Sequence, residues 1–276
     1  MKKRMLFMDL DGTLLNDAKQ ITQGNRDALD LALERGHGVI ITTGRPLKSA
    51  MDQAHKLGMD RPGCYLIAYN GAVIYDWASQ KQIFSRALPY ETVHRIFEKA
   101  NAMNLHIQTY DTWKVLVESR CDNAAVRRYC SLIGMEFTVI GDVREDLREE
   151  PVKCLVINYE EKKDLLVIQQ WIRENMQEDV DCFFSCDQYL EVVPRGMSKG
   201  EAVKMLCELM DVSIGNAVAV GDAANDLSMI EMAGIGVAMA NGTREVKAAA
   251  DYITERDNNH DGIVEVVERF FGEKAE

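Results

Sequence analysis

The sequence predicts an α/β fold with a mostly parallel sheet and a second, α+β unit inserted in mid-chain. Three observations carry this. Short apolar runs at Met5–Met8, Val39–Ile41 and Ala217–Val220 each end in an acidic or Thr/Gly-containing turn, as strands buried on both faces do. Helix-period segments alternate with such runs in the first third and the last quarter of the chain. Between those parts the pattern changes to strand pairs with their own apolar stripes, enough for a separate core. The expected division is 1–85 with 189–276 for the parallel-sheet core, and 86–188 for the insert.

Each element has its own justification. Thr22–Arg35 reads as a helix opened by a Thr cap and stopped at Gly36. Pro46 stands where the next helix begins and Gly58 where it stops. Tyr65–Tyr69 is a strand, Asn70-Gly71 a tight-turn signal, and Ala72–Tyr75 the returning strand. In the middle, Pro89–Met103, Asn123–Ile133 and Glu161–Glu174 are helical, while His106–Tyr110, Lys114–Glu118, Lys153–Tyr159, Cys182–Ser185 and Tyr189–Val193 are strands. The dense charges of Glu145–Glu150 suit a solvated loop or helix face. The outer pattern then resumes with a helix at Ser198–Met210, the strand at Ala217–Val220 and a helix at Asp226–Met232. Ile235–Ala238, Arg244–Ala250, Tyr252-Ile253 and Ile263–Phe271 continue the alternation.

Length and composition exclude several classes. A chain of 276 residues corresponds to two domains. Lys plus Arg number 32 against 44 Asp plus Glu, a net charge of −12, which opposes a nucleic-acid backbone as partner. No window is long and apolar enough for a membrane span, so no membrane partner is expected. The basic start at Met1–Arg4 leads only to the apolar Met5–Met8 before Asp9, too short for a signal peptide. Seven scattered Cys suggest no disulfide framework and point to the cytoplasm.

The chemistry concentrates at the ends of the outer strands. Asp9-Leu10-Asp11-Gly12-Thr13 follows the first strand directly, and ligands of open α/β sheets bind beyond the carboxyl ends of strands. Crowded carboxylates repel unless a cation lies between them, and oxygen-rich sites favour hard cations such as Mg2+. Thr42-Thr43-Gly44-Arg45 follows the second strand and offers a hydroxyl and backbone N–H groups to a phosphate oxygen. Lys199 opens a helix, where its charge opposes the macrodipole. Gly221-Asp222-Ala223-Ala224-Asn225-Asp226 follows the last convincing strand; Asn225 or Asp226 can cap the next helix, but Asp222 comes too early for that. An acidic rim that also holds a lysine and glycine-lined turns is reconciled by Mg2+ plus a phosphorylated ligand.

These four segments resemble the motifs of the haloacid dehalogenase (HAD) superfamily. Asp9-Leu10-Asp11-Gly12-Thr13 is similar to its first motif, Thr43 to the second, Lys199 to the third, and Gly221-Asp222-x-x-Asn225-Asp226 to the fourth. Their order, the long insert and Asn70-Gly71-Ala72 resemble the Cof-type sugar-phosphatase branch with a C2-type cap. The resemblance covers nearly the whole chain and is weakest across the insert. It implies a Rossmann-like core and an Mg2+-dependent phosphatase for small phosphorylated metabolites, sugar phosphates above all; monomer and homodimer both stay open. Asp9 would be the nucleophile that forms an aspartyl-phosphate, and Asp11 the general acid and then base. Asp9, Asp222 and the backbone carbonyl of Asp11 would bind Mg2+. Leu10 (through its backbone), Thr43, Gly44, Lys199 and Asn225 would hold phosphoryl oxygens, and Asp226 would support the site through a water or by orienting Lys199. At Asn241-Gly242-Thr243 the family more often has Asn-Ala, a departure expected to matter little.

Other readings stay open at this point. A phosphomutase of the same superfamily would share the motifs. Pyridoxal phosphate and flavin-precursor phosphatases are further enzymatic readings, and a non-hydrolysing, receiver-like phosphate-binding module is the non-enzymatic one. Cys182-x-x-x-Cys186 lacks zinc spacing, His260 reads as a polar loop residue, and the three Trp are too dispersed for base stacking.

Overall fold

The structure, a computed structural model, describes residues 2–272. The chain begins with β1 (Met5–Met8), α1 (Gln23–Glu34), β2 (Gly38–Thr42), α2 (Leu47–Lys56), β3 (Cys64–Ala68), β4 (Val73–Asp76) and β5 (Lys81–Ser85). It continues with α3 (Tyr90–Ala102), β6 (His106–Tyr110), β7 (Val115–Glu118), α4 (Ala124–Ile133), β8 (Phe137–Ile140), α5 (Val143–Asp146), β9 (Cys154–Ile157), α6 (Lys162–Asn175), β10 (Val180–Cys186) and β11 (Tyr189–Pro194). It closes with α7 (Lys199–Leu209), β12 (Ala217–Gly221), α8 (Leu227–Met232), β13 (Ile235–Ala238), α9 (Arg244–Ala249), β14 (Tyr252–Ile253) and α10 (Gly262–Phe270).

Two compact units divide the chain. The first takes the residues up to Gly44, Ala50–Phe84 and those from Ser198 onward; the second takes Arg45–Ser49 and Ser85–Met197. The first unit holds an eight-stranded sheet in the order β14-β13-β12-β1-β2-β3-β4-β5. All neighbours from β14 to β3 are parallel, and β4 returns antiparallel beside β3. Every residue of β1, β2 and β12 is buried, which is why they read as unbroken apolar runs. Side chains alternate along β1. Met5 and Phe7 enter a cluster with Ile40, Ile67, Val203 and Leu206, while Leu6 and Met8 are buried on the opposite face.

Strand order positions the site. The chain leaves β1 for β2 on one side, and β12 later occupies the other, so β1 is where the winding reverses. Met8 pairs in register with both Ile41 and Val220, which sets the residues after β1, β2 and β12 side by side.

The second unit holds a six-stranded sheet, β10-β11-β9-β6-β7-β8. Here the expected return to the core at residue 189 is corrected to 198. β11 pairs antiparallel with β10 and β9, not with the parallel sheet. Its apolar pattern suits either sheet, and the tight connection from β10 at Asp187-Gln188 decides the pairing. β5 and β8 were not anticipated; their mixed, half-exposed faces carry no apolar run. Glu145–Glu150 is exposed but for Leu147, as its charges foretold, and part of it forms α5.

One buried side chain ties the two ends of the first unit together. Asn25 in α1 accepts from the Ile263 and Val264 N–H groups at 3.1 and 3.2 Å, satisfying the amino end of α10. Asn25→Ala leaves those donors without this acceptor in a buried position, so we expect a loss of about 1–3 kcal/mol in urea unfolding. A change below about 0.5 kcal/mol would show that the contact does not support the fold.

Candidate functional site

Asp9 leaves the end of β1 with its N–H donating to the Val220 carbonyl at 3.0 Å. The chain then folds tightly: Leu14 and Leu15 donate to the Asp9 and Leu10 carbonyls at 3.3 and 2.9 Å. Gly12 makes the turn with φ +88°, and a Cβ there would lie 2.6 Å from Asp222 Oδ2. Only glycine fits both the backbone and the space. Thr13 Oγ1 donates to Asp222 Oδ1 at 2.8 Å and fixes that carboxylate.

Lys199 is the first residue of α7, whose start is set by Ser198. The Ser198 hydroxyl accepts from the Glu201 N–H at 3.1 Å, in a Ser-x-x-Glu arrangement. Gly200 lets α7 approach α8, since a Cβ there would lie 2.2 Å from the Ser228 carbonyl oxygen. The Lys199 ammonium, 1% exposed, donates to Asp9 Oδ1 at 2.5 Å and to Asp226 Oδ1 at 2.6 Å. The second Asp226 oxygen accepts from the Asp222 and Ala223 N–H groups at 2.9 and 3.0 Å. Asp226 thus orients Lys199 and also fixes the turn after β12.

Electrostatics follow from this burial. Loss of water pushes Asp9 up to about 7; Lys199 opposes the rise, and Asp226 and Asp222 add to it. Asp222 is pushed up to about 6, again chiefly by burial, with the Thr13 bond opposing and Asp226 contributing. Burial pulls the Lys199 ammonium down, but the attraction of Asp226 and Asp9 outweighs it and holds the group above its ordinary value. Asp9, Asp222 and Asp226 bring carboxylate oxygens within 4.8 Å of one another. Three carboxylates against one ammonium leave an excess of negative charge, and an all-oxygen donor set fits a hard divalent cation.

The expected site residues from the ends of the three central strands do assemble. Thr43 follows β2, donates its N–H to the Ile67 carbonyl at 2.8 Å and accepts from the Asn70 N–H at 3.1 Å. Gly44 packs so closely on Asn70 that a Cβ would lie 2.8 Å from its Oδ1. Asn225 is half-buried in the turn between β12 and α8. The Asp11 carboxylate stands apart from the cluster of Asp9, Asp222 and Asp226, and accepts from Lys19 Nζ at 2.8 Å. The Asp11 carboxyl outside this group is compatible with the expected contact through its backbone carbonyl, and Asp226, expected only as a support, joins Asp9 and Asp222 in the group.

Sequence reasoning missed several supports. Thr13 was seen only as part of a motif. Asn241 Nδ2 donates to the Gly12 carbonyl at 2.7 Å, and its Oδ1 accepts from the Asn258 N–H at 3.2 Å. Asn258 Nδ2 in turn donates to the Leu15 carbonyl at 3.0 Å. Asn70 read as a turn residue; its φ of +55° fits that reading, but its Oδ1 is buried beside Gly44 with no hydrogen-bond partner among the described residues.

Comparison with known proteins agrees with this geometry. Residues 6–267 match the model of the haloacid dehalogenase-like hydrolase family. The 5-amino-6-(5-phospho-D-ribitylamino)uracil phosphatase YitU of Bacillus subtilis is 27% identical over 282 residues, covering 98% of each chain. The pyridoxal phosphate phosphatase YbhA of Escherichia coli is 27% identical over 273 residues, covering 97% of this chain and 98% of its own. The crystal structure of a haloacid dehalogenase-like hydrolase from Bacteroides thetaiotaomicron superposes with a TM-score of 0.87 at 33% identity, covering 97% of this chain and 99% of its own.

The raised carboxylates predict a pH signature. An Asp whose folded value lies above its unfolded value stabilises the fold below the unfolded value, and that contribution is lost as pH rises through the folded one. For Asp9 and Asp222 the loss runs from about pH 4 to about pH 7. A divalent cation binds the ionised forms, so the rise in melting temperature on adding Mg2+ to chelator-treated protein should grow from pH 5.5 to 7.5 and then level off. An Mg2+ effect that is the same at both pH values would contradict the assignment of these carboxylates to a cation.

Proposed function

The chain belongs to the haloacid dehalogenase-like hydrolases and is a phosphatase, and on that premise we propose that it hydrolyses small phosphorylated metabolites through a phosphoryl group carried on Asp9. The observation that carries this reading is the buried Asp9 carboxylate held by Lys199 at the carboxyl end of the central strand.

Asp9 attacks phosphorus, and the bond from phosphorus to the leaving oxygen breaks. Asp11, two residues on, gives its proton to that oxygen. It then takes a proton from the water that attacks the phosphoryl group, releasing phosphate and restoring the Asp9 carboxylate. A carboxylate approaching a phosphate dianion meets repulsion. Lys199 reduces it with a full charge that burial keeps unscreened. The turn at Thr43-Gly44, with Leu10 and Asn225, offers donors to the phosphoryl oxygens. Thr13 and Asp226 hold their neighbours in place.

Asp9, Asp222 and the Asp11 backbone carbonyl would hold a divalent cation, Mg2+ on this reading, with Asp226 supporting them, and the cation would supply further positive charge against the dianion. We assign choice of the leaving group to residues of the second unit, on the expectation that it acts as the cap. The names of YitU and YbhA support a small phosphomonoester as substrate, and the resemblance to the Cof-type branch favours sugar phosphates.

The test is phosphate release from a panel of sugar phosphates, pyridoxal phosphate and 5-amino-6-(5-phospho-D-ribitylamino)uracil, with and without Mg2+. We expect Mg2+-dependent turnover that falls at least about a thousandfold in Asp9→Asn, because the nucleophile is lost. Undiminished turnover by Asp9→Asn would exclude the mechanism, and isomerised sugar phosphate without phosphate release would make the protein a mutase.

A further inference from the structure

Lys19 lies in the turn that follows the Asp9–Leu15 segment. The Asn16 N–H donates to the Gln20 carbonyl, the Lys19 N–H to the Asn16 carbonyl and the Gln20 N–H to Asn16 Oδ1, each at 2.9 Å. Lys19 itself takes φ +58°, a left-handed conformation that a long side chain adopts only when its surroundings hold it there. From this position its side chain reaches back eight residues, and Nζ donates to Asp11 Oδ1 at 2.8 Å. The Asp11 backbone is fixed in turn by a bridge to Leu15.

This arrangement answers a problem the site creates. Asp9 and Asp11 are both carboxylates at the same strand end. Asp9, Asp222 and Asp226 gather their oxygens, whereas Asp11 stays outside that cluster. A carboxyl that must exchange a proton with a leaving group is of no use as one more ligand of a cation. We propose that Lys19 is a positioning residue: its bond to one Asp11 oxygen keeps the carboxyl out of the Asp9–Asp222–Asp226 cluster and in the place from which it exchanges a proton with the leaving group.

The inference rests on Asp11 being the general acid. Lys19 gives up no proton in this step. The proton goes from the Asp11 carboxyl to the leaving oxygen as the phosphorus–oxygen bond breaks, and no other proton moves. The Lys19 side chain is 62% exposed, so its replacement costs little stability and the variant folds.

The leaving group supplies the test. An alkyl phosphate needs a proton on its departing oxygen, whereas p-nitrophenolate leaves without one. The ratio of kcat/KM on an alkyl phosphate from the panel to kcat/KM on p-nitrophenyl phosphate therefore reports the acid step alone. We expect Lys19→Met to lower this ratio about tenfold or more, within what general-acid catalysis contributes, and Lys19→Arg to restore most of it. Equal losses of kcat/KM on both substrates would reduce Lys19 to a charge that attracts the dianion, and unchanged kcat/KM on both would leave it no role; either result overturns the inference. Asp11→Asn separates the two levels. If it collapses the ratio while Lys19→Met does not, only the Lys19 inference fails. If Asp11→Asn itself leaves the ratio unchanged, the general-acid reading falls and takes the Lys19 inference with it.

Discussion

The buried ammonium of Lys199 is the contact on which the rest of the first unit's rim depends. It joins Asp9, 190 residues away, to Asp226, 27 residues further on, and so ties the end of β1 to the turn after β12. Taking three charges out of water is costly, and removing one partner of such a group costs about 3–5 kcal/mol. The triad is tolerated because its geometry is enforced from several sides: the Ser198 cap starts α7, Gly200 lets that helix approach α8, and backbone N–H groups hold the second Asp226 oxygen. None of these local features has a purpose of its own. Each makes sense as a means of placing one ammonium between two carboxylates.

Charge balance then dictates the chemistry. Lys199 neutralises only one of the three gathered carboxylates, and the excess of negative charge in their ionised forms suits a cation. Thr13 turns Asp222 toward the same place, and Asn241 and Asn258 pin the loop between Gly12 and Leu15 from the far end of the chain. The result is a rigid acidic rim at the reversal point of a parallel sheet, suited to hold a dianion through a cation instead of repelling it.

Much of this was legible in the sequence, for reasons specific to particular residues. β1, β2 and β12 are buried on both faces and therefore spelled out as apolar runs, and each is followed directly by a polar residue: Asp9, Thr43 and Asp222. What stayed hidden lies in tertiary contacts or half-exposed strands. Asn241 meets Gly12 across 229 residues, and Thr13 meets Asp222 across 209, so no local pattern marks either. Lys19 belongs to no motif, because its bond to Asp11 exists only once the turn is folded. β5 and β8 have no continuous buried face, and β11 could have completed either sheet until its pairing with β10 placed it in the second.

The central claim is that this geometry makes Asp9 the atom donor to phosphorus. The most direct measurement is rapid acid quench during turnover of a labelled phosphomonoester, followed by borohydride reduction, which converts an aspartyl-phosphate to homoserine. The account predicts phosphoryl label on the peptide containing residue 9, and homoserine at that position alone. A burst of turnover with no label at residue 9, or label on another side chain, would contradict it.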